Sequence, residues 1–319
     1  MNFFSLFKRK LIYNFKNKFS IDNDGIDNKK LDFLFHHYGS DKADIFKKNK
    51  NIGHGYSKFY EDKLKELKDK NLNILEIGSF AGASAAAFVK YFSNVNVFCF
   101  DVNISNFDYI SKKIHVFGVD INNEKKVNKN LEKIFKDFHI KNFDIIIDDG
   151  SHSSQDIIKT FILYYNHLNN NGLYIVEDLH CSYWKEYSGG LFFPISSISF
   201  FKKIVDVINY DHWGIKKSLD WFLKPFSHNY KIDLSHLDFD TINSVEFINS
   251  MCVLKKKNNK LGEIVKKGKI SEVVPEISNM SSDDFQISKT FQESNTWSNV
   301  KILPEDELAI LKDKSKNEQ

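Results

Sequence analysis

Acidic and histidine side chains follow two apolar segments of the sequence, at the point where each segment ends. Asp149 and His152 come after the segment 143–147, and Glu177 and Asp178 come after the segment 173–176. Three carboxylates brought to one place repel one another unless a cation holds them together. Oxygen ligands favour a hard divalent cation, Mg²⁺ first and Mn²⁺ or Ca²⁺ behind it. Asp149, Glu177 and Asp178 are therefore predicted to hold a metal ion. Each of these acids could instead cap a helix or pair with a lysine.

His152 lies three residues after Asp149, just before a predicted helix. An imidazole there can act as a general base, because histidine exchanges its proton near neutral pH. Its alternative role is to cap the helix or to support the metal site. The other histidine considered inside a strand, His115, is predicted to be packed in the core.

A glycine turn at residues 78–82 is the second candidate site. The apolar segment 71–77 precedes Gly78 and Gly82, and Ser84 can cap the helix that follows. The free N–H groups at such a helix start favour polar or anionic ligands. The pattern lacks the third glycine of the dinucleotide fingerprint and has an acid, Glu76, at its head. An acid at the end of the next strand, Asp101, suits a ribose diol. Together these features are typical of S-adenosylmethionine binding rather than of nicotinamide binding.

Strands and helices alternate along the central part of the chain. Strands are predicted at 71–77, 96–100, 113–117, 143–147 and 173–176, with a closing β-hairpin at 241–248 and 251–254. Helices are predicted at 58–69, 85–89, 123–138, 154–168 and 198–209. Such alternation predicts a doubly wound, Rossmann-like α/β fold, mostly parallel with an antiparallel hairpin. The carboxyl ends of its strands share one edge, so the candidate residues are expected to meet there.

The predicted domain organisation has three parts. Residues 1–35 form an amphipathic N-terminal extension, residues 36–257 form the main domain with an insertion at about 211–240, and residues 258–319 form a polar, partly disordered extension. Residues 20–57 have a loop-like composition.

Composition excludes several function classes. The net charge is only +3, which gives no electrostatic case for a nucleic-acid partner. Three widely separated cysteines and the lack of a membrane-spanning apolar run favour a reduced, cytoplasmic protein. Residues 1–19 are basic and amphipathic, and lysines interrupt any signal-peptide core. This segment is expected to pack on the domain or on a neighbouring subunit, or to associate peripherally with the envelope through an anionic membrane surface.

Several motifs together resemble one family. They are YGSDK (38–42), HGYSKFYE (54–61), LEIGSFAGAS (75–84), FDIIIDDGSH (143–152), NGLYIVEDL (171–179) and SYW (182–184). The chain is similar, over roughly residues 36–256, to metal-dependent sugar O-methyltransferases of the mycinamicin and macrocin type. The pair of motifs around IDDGSH and YIVEDL is the specific part of this resemblance.

The resemblance implies a role for each candidate residue. The residues implied to bind S-adenosylmethionine are Glu76, Gly78, Ser79, Ser84, Asp101, Asp120 and Asp148. Asp149, Glu177 and Asp178 would hold Mg²⁺, and His152 would be the base. Residues 38–56 would close over the site, and His54, Tyr56 and Tyr183 are candidates for substrate contacts.

The expected reaction is methyl transfer from S-adenosylmethionine to a sugar hydroxyl. The expected acceptor is a nucleotide-activated sugar or a bacterial surface-glycan or capsule sugar, such as a heptose or deoxyhexose, in a homo-oligomeric enzyme. A macrolide glycoside, a catechol-like molecule, or a cofactor-binding scaffold without catalysis remain alternatives. An intact set of Asp149, His152, Glu177 and Asp178 argues against the scaffold.

Overall fold

The computed structural model describes residues 3–26, 29–46, 51–215, 217–257 and 295–299. Its α-helices are α1 Phe3–Phe15, α2 Leu31–Tyr38, α3 Ser57–Leu64, α4 Ala83–Tyr91, α5 Glu124–Phe138, α6 Ser154–Tyr164, α7 Ser197–Val207 and α8 Leu219–Tyr230. Its strands are β1 Phe19–Ser20, β2 Ile45–Phe46, β3 Asn51–Ile52, β4 Asn71–Ile77, β5 Asn94–Asp101, β6 Tyr109–Ile110, β7 Ile114–Gly118, β8 Phe143–Asp148, β9 Leu168–Val176, β10 Ile242–Ile248 and β11 Met251–Lys256.

Seven strands form the central sheet, in the order β10-β11-β9-β8-β4-β5-β7. The five strands from β9 to β7 pair in parallel, and the β10–β11 hairpin adds antiparallel strands beside β9. The predicted Rossmann-like fold with a closing hairpin is confirmed. Because β4, β5, β7, β8 and β9 run in parallel, their carboxyl ends lie along one edge of the sheet.

Each face of the sheet is covered by helices and has its own apolar core. Side chains alternate between the faces, so Ile74 packs with one core while Leu75 packs with the other. Helices α5 to α8 contribute to the core that contains Leu75, and α2 to α4 contribute to the core that contains Ile74. This double cover explains why the parallel strands are continuous apolar runs.

The loop-like interpretation of residues 20–57 is wrong for α2. Leu31, Leu34, Phe35 and Tyr38 are buried at helical spacing, and Gly39 ends the helix at φ 81°. The helix is only eight residues long and has two histidines in its last turn, so its apolar spacing is difficult to recognise in the sequence. Since Ile21 and the apolar face of α2 belong to the core, the packed unit begins before residue 36.

Other boundaries also differ from prediction. Helix α6 ends at Tyr164, a 3₁₀ turn follows, and β9 already begins at Leu168, so residues 170–172 are strand rather than the end of a helix. The predicted insertion at 211–240 contains α8, whose Phe222, Leu223 and Phe226 pack into the core. The predicted C-terminal extension lies outside the described residues, except for the turn Thr296–Asn299. Among the described ranges, none of the helices combines the length and apolarity that crossing a bilayer requires.

Candidate active site

The carboxyl ends of β4 and β8 approach each other closely at Gly78. Gly78 has φ 87°, and a Cβ there would lie 1.9 Å from the carbonyl oxygen of Asp149. Only glycine fits this conformation and this space. The Asp149 N–H donates to the Ile77 carbonyl at 2.9 Å, and the Glu177 N–H donates to the Asp148 carbonyl at 2.9 Å. The three strand ends are therefore locked side by side.

The glycine turn places Glu76 inside the protein. Its side chain is fully buried, and Ser84 at the start of α4 donates a short hydrogen bond to its Oε1. The second oxygen, Oε2, has no partner within the described structure, and burial raises the pKa of this carboxyl. Ser79 donates to the Glu76 carbonyl oxygen at 3.1 Å. An unpartnered buried oxygen beside the turn is a place where a ligand's donor group would be stabilised.

Two cavities open at this edge of the sheet and share Gly78, Asp101 and Gly150. The first, of about 500 Å³, has an apolar wall that includes Phe100 and Val119 and ends at Asp120. Asp101 accepts from the backbone N–H groups of Phe80 at 2.8 Å and Asn103 at 2.5 Å. A cavity lined by apolar side chains together with Asp101 and Asp120 suits a purine nucleoside.

Asp148, like the buried Glu76, is a cofactor candidate that lines neither of these two cavities. Its side chain is 3% exposed, and burial raises the pKa of its carboxyl well above the usual range. The strand alternation at the end of β8 turns Asp148 inward, while Asp149 lines the second cavity.

The second cavity, of about 470 Å³, lies between the glycine turn and the segment 39–42. Its polar lining includes Ser79, Ser84, Asp149, His152 and Asp178. The segment is fastened by backbone hydrogen bonds from His54 to the Asp41 carbonyl at 2.7 Å and from Tyr56 to the Lys42 carbonyl at 3.0 Å. Residues 39–42 thus lie against the strand-end acids, held there by residues 54–56.

Lys42 was not predicted as a site residue, yet it is the cation at the centre of the strand-end acids. Its Nζ donates to Asp149 Oδ2 at 2.6 Å and to Glu177 Oε2 at 2.7 Å, and its side chain is 2% exposed. Burial alone would lower the pKa of this ammonium, but the charges of Asp149, Glu177 and Glu76 raise it well above the usual value. Its place in the YGSDK motif is the one sequence signal that could have found it.

Glu177 is enclosed by protein donors. Lys42 occupies one carboxylate oxygen, and the Tyr60 hydroxyl donates to the other, Oε1. With a 2% exposed side chain, Glu177 offers no free oxygen facing the cavity. The predicted metal set of Asp149, Glu177 and Asp178 is therefore not brought together as an open site in this structure.

A different set lies open to the second cavity. Asp149, His152 and Asp178 each offer a ligand atom, and these atoms all lie within 4.8 Å of one another. His152 Nε2 is 3.7 Å from Asp178 Oδ2. His152 and Asp178 have φ 59° and 51°, left-handed conformations that cost non-glycine residues about 1 kcal/mol or more each. Such strain at two neighbouring polar residues is typical of functional sites.

The donor atoms of this set fit a divalent cation. Asp149 and Asp178 supply carboxylate oxygens, His152 supplies an imidazole nitrogen, and Lys42 pairs with Asp149 Oδ2. Mg²⁺ or Mn²⁺ accepts such a donor set. In the part of the chain that the structure describes, this is the group of side chains that could hold a metal.

Aromatic rings form a row around Asp178. The Tyr56 hydroxyl donates to Asp178 Oδ1 at 2.6 Å, and His54 Nδ1 lies 3.4 Å from the same oxygen. From His54 the row continues through His180 and Trp184 to Tyr187, whose ring centroid is 6.1 Å from that of His152. Tyr183, the other predicted substrate residue, is half-buried at the end of the turn Leu179–Tyr183, next to Trp184.

Comparison with known proteins identifies part of this fold. Residues 75–179, which contain both the glycine turn and the strand-end acids, match the family model described as a methyltransferase domain. The chain is 28% identical over 195 residues to 8-demethyl-8-alpha-L-rhamnosyl tetracenomycin-C 2'-O-methyltransferase of Streptomyces olivaceus, covering 59% of this chain and 48% of that protein. It is 25% identical over 169 residues to mycinamicin VI 2''-O-methyltransferase of Micromonospora griseorubida, covering 49% and 40%. The chain thus spans less than half the length of these two relatives.

A solved structure shows the same fold. The MycE methyltransferase of the mycinamycin biosynthetic pathway, in complex with Mg and SAH, matches with a TM-score of 0.57 and 19% identity, covering 74% of this chain and 56% of that one. The same enzyme in complex with Mg, SAH and mycinamycin VI matches with a TM-score of 0.55 and 18% identity, covering 78% and 58%. The resemblance to macrolide-sugar O-methyltransferases is confirmed.

Proposed function

We propose that this chain, whose residues 75–179 form a methyltransferase domain and whose relatives are sugar O-methyltransferases, transfers a methyl group from S-adenosylmethionine to a sugar hydroxyl. The observation that carries this proposal is the pair of adjoining cavities. The first suits the nucleoside of the donor, and the second joins the glycine turn to Asp149, His152 and Asp178. The residues that the two cavities share support a binding mode in which the donor's sulfonium would lie between nucleoside and acceptor.

The reaction is a displacement at the methyl carbon. The sugar oxygen forms a bond to that carbon while the carbon–sulfur bond breaks, and S-adenosylhomocysteine leaves. The hydroxyl proton must be taken up as the new bond forms, and His152 lines the cavity with a half-buried imidazole. Asp178, 3.7 Å from His152 Nε2, would stabilise the imidazolium that results. Holding oxygen, carbon and sulfur in line supplies much of the remaining acceleration.

Asp149 and Asp178 would supply carboxylate oxygens to Mg²⁺, and His152, the third member of this cluster, would stay free to take the proton. A bound divalent cation would orient the acceptor oxygens and make the hydroxyl more acidic. The solved MycE complexes with Mg and SAH support this assignment by fold similarity. Glu177 would become a metal ligand only if Lys42 moved away from Glu177 Oε2.

The row of rings around Asp178 supports a sugar as the acceptor. Sugars offer an apolar C–H face to aromatic rings and hydroxyl groups to carboxylates, and both types of group lie together here. Relatives named for rhamnosyl tetracenomycin and mycinamicin VI modify sugars of glycosides. A nucleotide-activated sugar and a surface-glycan sugar remain the alternatives to such a glycoside.

The test of this function is a methyl-transfer assay on purified protein. S-adenosylhomocysteine release is measured with Mg²⁺ against a panel of glycosides, nucleotide sugars, surface-glycan fragments and a catechol. With the acceptor found, His152→Ala should lower kcat by about 10²- to 10⁴-fold, the usual contribution of a general base. The affinity for S-adenosylmethionine, measured by calorimetry, should be unchanged.

The matched control is His236→Ala, because His236 is 83% exposed and its partner is the nearby Asp233. This variant should retain the parental rate. Methyl transfer to the catechol alone would show that the acceptor is not a sugar. A His152→Ala variant that works at the parental rate would show that His152 is not the base. Tight cofactor binding without turnover on any acceptor would favour a non-catalytic scaffold.

A further inference from the structure

Helix α1 is fastened to the domain by one of its faces. Arg9 Nη1 donates to the Val102 carbonyl at 2.9 Å, and the ring of Tyr13 meets Phe107 edge-on at 6.4 Å. Lys16 donates to the Asn106 carbonyl at 3.2 Å and forms an ion pair with Asp108. These contacts, spaced three and four residues apart, fix which side of the helix faces outward.

The outward side of α1 carries large apolar side chains. Phe7, Leu11 and Phe15 follow one another at four-residue spacing and are 54%, 41% and 84% exposed. Ile12 beside them is 45% exposed. Scattered apolar residues on a surface need no explanation, but a contiguous row of this size marks an interaction surface.

The charged side chains of the N-terminal segment itself all have the same sign. Lys8 and Lys10 are exposed on α1, and residues 1–19 contain five basic residues and no acidic residue. Phe and Leu side chains bordered by lysines match the boundary between anionic headgroups and acyl chains. Each lysine near such a surface contributes about 1 kcal/mol of binding.

We propose that the outward face of α1 docks the protein on an anionic lipid surface. The helix would lie flat in the interface with Phe7, Leu11 and Phe15 inserted and with Lys8 and Lys10 at the headgroups. Its 13 residues span only about 20 Å, which is too short to cross a bilayer. Residues 102–108, on which α1 rests, directly follow Asp101 of the first cavity, so the docked face is tied to the same edge of the sheet as the active site.

A second copy of the chain fits this face less well. A two-fold interface uses the same patch on both subunits, so Lys8 and Lys10 of both copies would enter one contact. Residues 1–19 offer no carboxylate to offset those charges. An anionic surface supplies the missing negative charge, and it needs no matching shape.

The experiment is co-sedimentation of the full chain with vesicles of phosphatidylcholine alone or with about one-third phosphatidylglycerol. Binding is expected only with phosphatidylglycerol, and it should weaken as salt is raised. Lys8→Glu with Lys10→Glu should weaken the partition about 10-fold or more. Phe7→Ser with Phe15→Ser should weaken it to a similar degree, because the inserted area is lost.

Matched controls lie elsewhere on the surface. Lys125→Glu with Lys129→Glu makes the same charge change on exposed positions of α5, and Phe192→Ser removes a side chain that is 89% exposed. Both should bind as the parent does, with unchanged melting temperatures for all variants. Equal binding to neutral vesicles, or no binding to either kind, would overturn the proposal. So would a dimer, seen by light scattering, that the Phe7 and Phe15 changes dissociate while vesicles capture nothing.

Discussion

Glu177 and Asp178 are consecutive acidic residues with opposite environments. Glu177 is 2% exposed, and Lys42 and Tyr60 bind its two oxygens. Asp178 turns the other way, at φ 51°, and lines the second cavity with His152. Glu177 directly follows β9 and faces inward, and the left-handed backbone at Asp178 turns the next carboxylate toward the cavity. Equal charge at neighbouring positions therefore does not mean an equal role.

These two environments show how the fold can hold several carboxylates together and still leave one of them open to a ligand. The inner half, Asp149 Oδ2 and Glu177 Oε2, accepts hydrogen bonds from an ammonium that belongs to the chain. The outer half, Asp178 with His152, lines the second cavity, where a ligand can bind. Asp149 belongs to both halves, so Lys42 can orient a potential metal ligand through its hydrogen bond to Oδ2.

The largest effect is expected from Lys42→Met. This change leaves Asp149 and Glu177 buried without their cation, and breaking a buried pair in this way costs about 3–5 kcal/mol of unfolding free energy. Urea denaturation in the presence of EDTA measures it. Adding Glu177→Gln to Lys42→Met should recover part of the loss, because one buried charge disappears with its partner.

The control for Lys42 is Lys63→Met. Lys63 pairs with Glu246 at the surface, where the side chains are 34% and 45% exposed, so about 1 kcal/mol or less should be lost. Equal losses for Lys42→Met and Lys63→Met would show that the inner half of the cluster has no special energetic role.

A smaller effect is expected on the free energy of metal binding, where the variants at Asp178 and Glu177 should differ by about 1.4 kcal/mol or more. Asp178→Asn should raise the dissociation constant for Mn²⁺ at least about 10-fold, because replacing even a residue that only supports a metal ligand weakens metal binding by that factor. Glu177→Gln should change Mn²⁺ affinity little while lowering stability. Titration followed by electron paramagnetic resonance measures free Mn²⁺ directly. If Glu177→Gln weakened Mn²⁺ as much as Asp178→Asn, Glu177 would be a ligand and Lys42 would have to move when metal binds.

The sequence predicted the edge of the sheet correctly because strand ends are local features. Gly78, Asp101, Asp149 and Glu177 each follow an apolar run that could be read without knowing the fold. Right-handed parallel topology then brought those ends together. The α/β fold and the edge of the sheet at which the two cavities open were therefore predictable.

The contact of Lys42 with the acids was not predictable in the same way. Lys42 lies 107 residues from Asp149 and 135 residues from Glu177, and one lysine among many carries no sign of its burial. The inward orientation of the Glu177 side chain was also not predicted, because two consecutive acidic residues do not show in the sequence which of them faces the core. Asp148 and Asp149 posed the same question, and the inward-facing member is again the buried one.

The smallest expected effect concerns His115, which is half-buried and forms no ion pair with the residues that the structure describes. Its ring lies against Phe98 and Phe138, Asn96 Oδ1 is 3.1 Å from Nε2, and burial lowers the pKa of this imidazole to about 4. Between its ordinary value near 6.5 and about 4, the unfolded chain binds a proton that the folded chain does not, so stability falls as pH drops through that window. Because the ring is only partly buried, the loss should be about 1–2 kcal/mol. His115→Gln should remove that part of the slope of unfolding free energy against pH, and above about pH 7 the difference between variant and parent should be constant. An unchanged slope below pH 6.5 would mean that the acid sensitivity arises at other titratable groups, such as the carboxylates of the strand-end cluster.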